Sequence, residues 1–158
     1  MNKFSSIKYL FLLIPLIYGK SEVTLAQKNS LNNLVLAVGA NSNEIVTGNT
    51  GGSYSLASIA NSDRDRNPCM GYGDPQPDHI ITLKGDFARL KMRVNSGGND
   101  TTLVIKQTET QTIRCGFGQN GDKDAAISDS NWSAGTYHVW VGSVVPNMRS
   151  PYRLNIER

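Results

Sequence analysis

The sequence predicts an all-β protein, an antiparallel β-sandwich behind a cleavable signal peptide, and three observations carry the prediction. Apolar and polar residues alternate over short stretches, as where Leu90, Met92 and Val94 interleave with Arg89, Lys91 and Arg93. Such period-two patterning marks strands with one face on a core and the other in water. Turns rich in Gly and Asn separate these stretches, among them Gly48-Asn-Thr-Gly-Gly52 and Asn95-Ser-Gly-Gly-Asn-Asp100. No stretch carries apolar residues at helical spacing.

Residues 1–26 read as the signal. Lys3 and Lys8 precede the apolar run 9–18, and Thr24 and Ala26 place small residues before a cut after position 26. A retained membrane anchor fits less well, because the run is short and contains Pro15. Cleavage leaves 132 of the 158 residues, enough for one domain with a real core. The segment holds Lys3, Lys8, Lys20 and Glu22, so the net charge falls from +3 to +1. Basic residues in the remainder are scattered among acids, which excludes a nucleic-acid footprint. Cys69 and Cys115 both lie in the exported part, and an even count in an oxidising compartment favours a disulfide between them.

In chain order, residues 27–43 are expected as a flexible lead-in, with a first strand around Leu34 as the alternative. The folded domain is expected over 44–158. Residues 61–78 form a loop rich in Asp, Arg, Pro and Gly, pinned by Cys69. Strands are expected at 79–83, 88–94 and 102–107, then a Gly-, Asn- and Asp-rich loop over 116–131, and a last strand at 152–156. The stretch 132–142, Trp-Ser-Ala-Gly-Thr-Tyr-His-Val-Trp-Val-Gly, organises the rest. Tyr137, Val139 and Val141 fall on one face of its strand and Thr136, His138 and Trp140 on the other. Large groups on both faces predict a central strand, with one face on the core and the other partly covered.

The ordered pieces Gly48-Asn-Thr-Gly-Gly-Ser53, Cys69-Met-Gly-Tyr72, Pro77-Asp-His79, Asp100-Thr-Thr-Leu-Val-Ile105, Cys115, 132–142 and Tyr152-Arg-Leu154 resemble secreted cyanobacterial β-sandwich modules related to bacterial pre-peptidase C-terminal domains. The resemblance covers about 44–158. It implies a jelly-roll-like, non-catalytic module, appended to exported hydrolases or standing alone at the cell envelope, with calcium held by acidic loop residues in some relatives. Gly116 and Phe117 follow the second cysteine here, where relatives often carry acids.

Three constellations bear on chemistry. Asn120, Asp122 and Asp124 alternate like the first oxygen ligands of a calcium loop, but Ala125 and Asn131 break the EF-hand pattern. Asp100 is the further candidate for a looser Ca²⁺ site with Asp122 and Asp124, weak at most; a solvated turn is the plainer reading. Asp78 and His79 raise a hydrolytic triad, yet no nucleophile elbow is present and strand neighbours point to opposite faces. Tyr54, Tyr72, Phe117, Trp132 and Trp140 could form a stacking platform for a glycan, or pack in the core and on the sheets. His138 reads as a covered surface residue. The expected function is therefore an exported, non-catalytic binding or scaffolding module in the periplasm or at the cell surface, with an envelope or extracellular protein or glycan as partner. A carbohydrate-binding module is the alternative and a small hydrolase the lesser one.

Overall fold

The computed structural model describes residues 32–37 and 43–158, so the expected signal peptide lies outside the described residues. Eleven strands are described: β1 (Asn32–Leu36), β2 (Glu44–Asn49), β3 (Tyr54–Ser55), β4 (Tyr72–Gly73), β5 (His79–Leu83), β6 (Phe87–Asn95), β7 (Thr101–Gln107), β8 (Ile113–Phe117), β9 (Ala126–Trp132), β10 (Gly135–Ser143) and β11 (Pro151–Glu157). Helical structure among the described residues is a single 3-10 turn, Leu56–Ser58. Two sheets pack as a sandwich. One runs β2-β11-β6-β9; the other is built on β10, with β5 on one side, β7 on the other, and β1, β8, β4 and β3 extending it.

The patterning of β10 sets this arrangement. Its inward residues Tyr137, Val139 and Val141 join Leu90, Met92, Leu103, Ile105, Trp132 and Leu154 in the main core. Tyr137 stands opposite Ile81 of β5, and Val139 opposite Ile105 of β7, so β10 is the central strand its sequence predicts. Its outward face is covered too: Trp140 is packed with Leu56, Cys69 and Val104 in a second, smaller core.

Two expectations are corrected. Within 27–43, the strand alternative holds at β1: Leu34 pairs with Ile81 in a parallel ladder, and Leu36 is fully buried in the core. Two leucines on one face extend the core beyond the segment read as its start, and this one parallel pair sits in otherwise antiparallel sheets. Residues 126–131, read as part of a loop, form β9 together with Trp132, against β6. Its Asp, Ser and Asn content hides a strand whose buried anchors are Ile127 and Trp132.

β8 and β9 meet where the two sheets close on each other. A Cβ at Gly116 would overlap the Ala126 carbonyl, so the backbones touch only because residue 116 has no side chain. Beside it, buried Arg114 donates from Nε to Asp129 Oδ2 at 2.7 Å and lies over the Trp132 ring at 4.0 Å. Arg64 of the long loop donates to the other oxygen of Asp129 at 2.7 Å. The outer edge of β8 is capped by the same loop, through Arg64 N to Ile113 O and Cys115 N to Asp63 Oδ2. That leaves fewer unpaired groups for another chain to pair with.

Cys69 and Cys115 form the expected disulfide, with Cα atoms 5.2 Å apart at a sequence separation of 46. Because the bridge constrains the unfolded chain, replacing both cysteines by serine should lower stability by about 4 kcal/mol. Urea denaturation of the double variant checks this, and an unchanged midpoint would show that the loop is held by packing alone.

Candidate functional site

The loop that covers β10 stops short of the end of the sheet, and a cleft of about 470 Å³ opens there. Its floor is the outer face of β7 and β10, where Lys106 stands opposite His138 and Trp140 lies one alternate residue further along. One wall is the loop segment Pro75, Gln76 and Pro77 together with Ser58 and Ile59; Gln111 and Thr108 of the β7–β8 turn form the other. The loop wall is tied to the floor: Trp140 Nε1 donates to Pro75 O at 3.4 Å, and Asp78 N donates to Val139 O at 2.9 Å. His138 packs edge-on to Trp140, ring centroids 5.9 Å apart. The turn wall is fixed by Gln111 Nε2 donating to Thr108 O at 2.6 Å. These pairings make the cleft a preformed concavity within the size range of ligand sites.

The structure separates the residues of a catalytic reading. His79 points into the sandwich, 1% exposed, with Nε2 2.7 Å from the Tyr152 hydroxyl. Its Nδ1 has no partner among the described residues. Burial lowers the His79 pKa to about 4, so the ring is neutral, and burial raises the Tyr152 hydroxyl above its usual value. Asp78 accepts from Val141 N at 2.8 Å, and no hydrogen bond between it and His79 is present among the described residues. Burial outweighs that hydrogen bond and, with the Asp74 charge nearby, pushes Asp78 up to about 7. Among the described residues no serine hydroxyl bonds to His79, so acid, imidazole and nucleophile do not converge there.

The acidic candidates for a calcium site are engaged by neighbouring groups of the protein. Asp122 pairs with Arg93 at 2.6 Å, and Asp124 accepts from Ser96 N and Oγ at 2.9 and 2.7 Å. Asp100 faces Lys123 at 3.8 Å. The guanidinium of Arg93 also lies 3.8 Å from Asp124, so it bridges two of the three carboxylates. Among the described residues no three His, Cys, Asp or Glu side chains are grouped to hold a metal.

The two tryptophans are not a glycan platform either. Trp132 is 0% exposed and Trp140 5%, their faces occupied by Arg114, Tyr137 and the second core. Tyr72 and Phe117 are half-buried, and Tyr54 alone of the five aromatic candidates is exposed. Reading by residue type passed over Lys106, Thr108, Gln76 and Gln111. Their only sequence signal is the outward phase of Lys106 in its strand; that it faces His138 follows from a register the sequence does not show.

No family model matches the chain, and no curated protein matches it by sequence. The solved structures that align with the chain include the following two. The pre-peptidase C-terminal domain of collagenase from Bacillus anthracis aligns with a TM-score of 0.45 and 15% identity, over 81% of this chain and 97% of that one. PliG from Aeromonas hydrophila, a periplasmic inhibitor of g-type lysozyme, aligns with a TM-score of 0.39 and 12% identity, over 81% of this chain and 98% of that one.

The buried pair gives a pH test. Folded His79 stays neutral down to about 4, against an ordinary 6.5, so its contribution is present above 6.5 and is lost as pH falls through that window. Folded Asp78 keeps its proton up to about 7, against an ordinary 3.8, so its contribution is present below 3.8 and is lost as pH rises. Between about 4 and 6.5 the two oppose each other. Asp78→Asn removes one of them, so the variant should gain on the native protein by up to about 1.4 kcal/mol per pH unit across that window in urea denaturation. A difference that does not change with pH would mean that Asp78 is ionised in the fold.

Proposed function

We propose that this protein is an exported, non-catalytic binding module of the periplasm or cell surface, and that the cleft between the pinned loop and the β7–β8 turn receives its partner. The observation that carries the reading is the cleft itself: a preformed concavity whose floor, loop wall and turn wall are each fixed by hydrogen bonds. The Asp78 and His79 pair, in contrast, serves the interior. The disulfide suits an oxidising compartment. No helix among the described residues is long and apolar enough to cross a membrane.

The rim position Gln111 is exposed and tests this directly. A photo-crosslinking residue placed there should yield one defined adduct with envelope extract of the source cells. The same probe at Arg89, exposed on the opposite sheet, should not. Equal labelling from both positions, or none from either, would overturn the reading.

A further inference from the structure

We infer that the cleft takes an extended acidic peptide segment, anchored by a carboxylate on Lys106; the inference rests on the proposed binding role and names its ligand class. Lys106 is the one Lys, Arg, Asp or Glu among the described residues that line the cleft. Lys106 and His138 stand side by side on the floor, and no Asp or Glu lines the site. Directly opposed residues on one face of an antiparallel pair have Cβ atoms about 5 Å apart, so one carboxylate can reach both.

Lys106 is half-buried, yet its side chain makes no ion pair or hydrogen bond among the described residues. The acids on the adjoining segments are directed elsewhere. Glu109 accepts from Thr136 N at 3.1 Å, and Asp78 accepts from Val141 N. Three of the five other Lys and Arg residues on this protein's strands have a carboxylate: Lys91 has Glu157, Arg93 has Asp122 and Arg114 has Asp129. An unmatched ammonium in a concave site favours an anion supplied by a partner.

The polar groups of the walls suit a peptide backbone. Gln111 uses its amide nitrogen on Thr108 O, which leaves its amide oxygen as an acceptor for a peptide N–H. Gln76 and Ser58, on the facing wall, offer donors as well as acceptors. A sugar ring would need an aromatic face, and Trp140 presents 5% of its surface with its Nε1 already bonded to Pro75. The volume holds a few residues, with walls open enough for the chain to enter and leave.

The probe is a blocked hexapeptide of alternating Glu and Ser, titrated into the isotopically labelled full chain and followed by amide and indole NMR shifts. Its Gln-Ser counterpart and a trigalacturonate serve as the comparison ligands. The expected result is a set of shifts confined to Lys106, Thr108, His138 and the Trp140 indole, produced by the Glu peptide and not by the Gln peptide. Lys106→Met should weaken binding about tenfold, as for a lost charge-assisted bond. Lys106→Arg should retain it, and Lys123→Met, on a remote loop, should leave it unchanged. Equal shifts from both peptides, shifts spread over surface cations and untouched by Lys106→Met, or no shifts at all would overturn the assignment. Tighter binding of trigalacturonate would overturn the peptide in favour of an acidic saccharide. Should the acidic peptide fail while the Gln111 probe still captures a defined envelope protein, the ligand class falls and the cleft reading stands; should both fail, both fall.

Discussion

The Cys69–Cys115 bridge holds a long loop against the outer face of β10, and much of the structure depends on that cover. A central strand with Tyr137, Val139 and Val141 on one face and Trp140 on the other has two apolar surfaces to remove from water. The opposing sheet buries the first. The second is left to a chain segment whose own structure consists of short turns and two-residue strands, too little to hold it in place without a crosslink and a small core of Leu56, Cys69 and Val104. Where this cover ends, the sheet surface emerges between two walls. The cleft is thus a consequence of how β10 is buried.

Charged groups in this protein are spent mainly on construction. Arg114 and Arg64 share the two oxygens of Asp129, which ties β8, the loop and β9 together where the sheets close. Removing one member of such a set leaves buried charge uncompensated, a large effect compared with the weak surface pair of Lys91 and Glu157. His79 and Tyr152 link the two sheets through a buried hydrogen bond. The acidic turn around Asp122 and Asp124 is organised on Arg93 and Ser96 in the same way. Lys106, half-buried on the floor of the cleft, takes no part in these pairings.

Much of the sandwich was legible in sequence because period-two alternation reports burial directly: β6, β10 and β11 fall where Met92, Val139 and Leu154 put them. β9 was hidden because Asp129, Ser130 and Asn131 serve the arginines and the sheet closure, not strand propensity. β1 was hidden because a short run containing Leu34 and Leu36 carries no turn chemistry linking it to the domain, and its parallel partner β5 is distant in sequence. The disulfide could be read from the count of two cysteines, whereas the cleft could not. It depends on the register that sets Lys106 against His138 and on where a loop without periodicity stops.

Hydrogen exchange of the oxidised and reduced protein, compared segment by segment, tests the central claim that the crosslinked loop is a cover distinct from the sandwich beneath it. Reduction should accelerate exchange in residues 56–78 and along β8, and expose the Trp140 side of β10, while β6 and β11 keep their protection. Uniform acceleration across both sheets, or no change in the loop, would contradict the account.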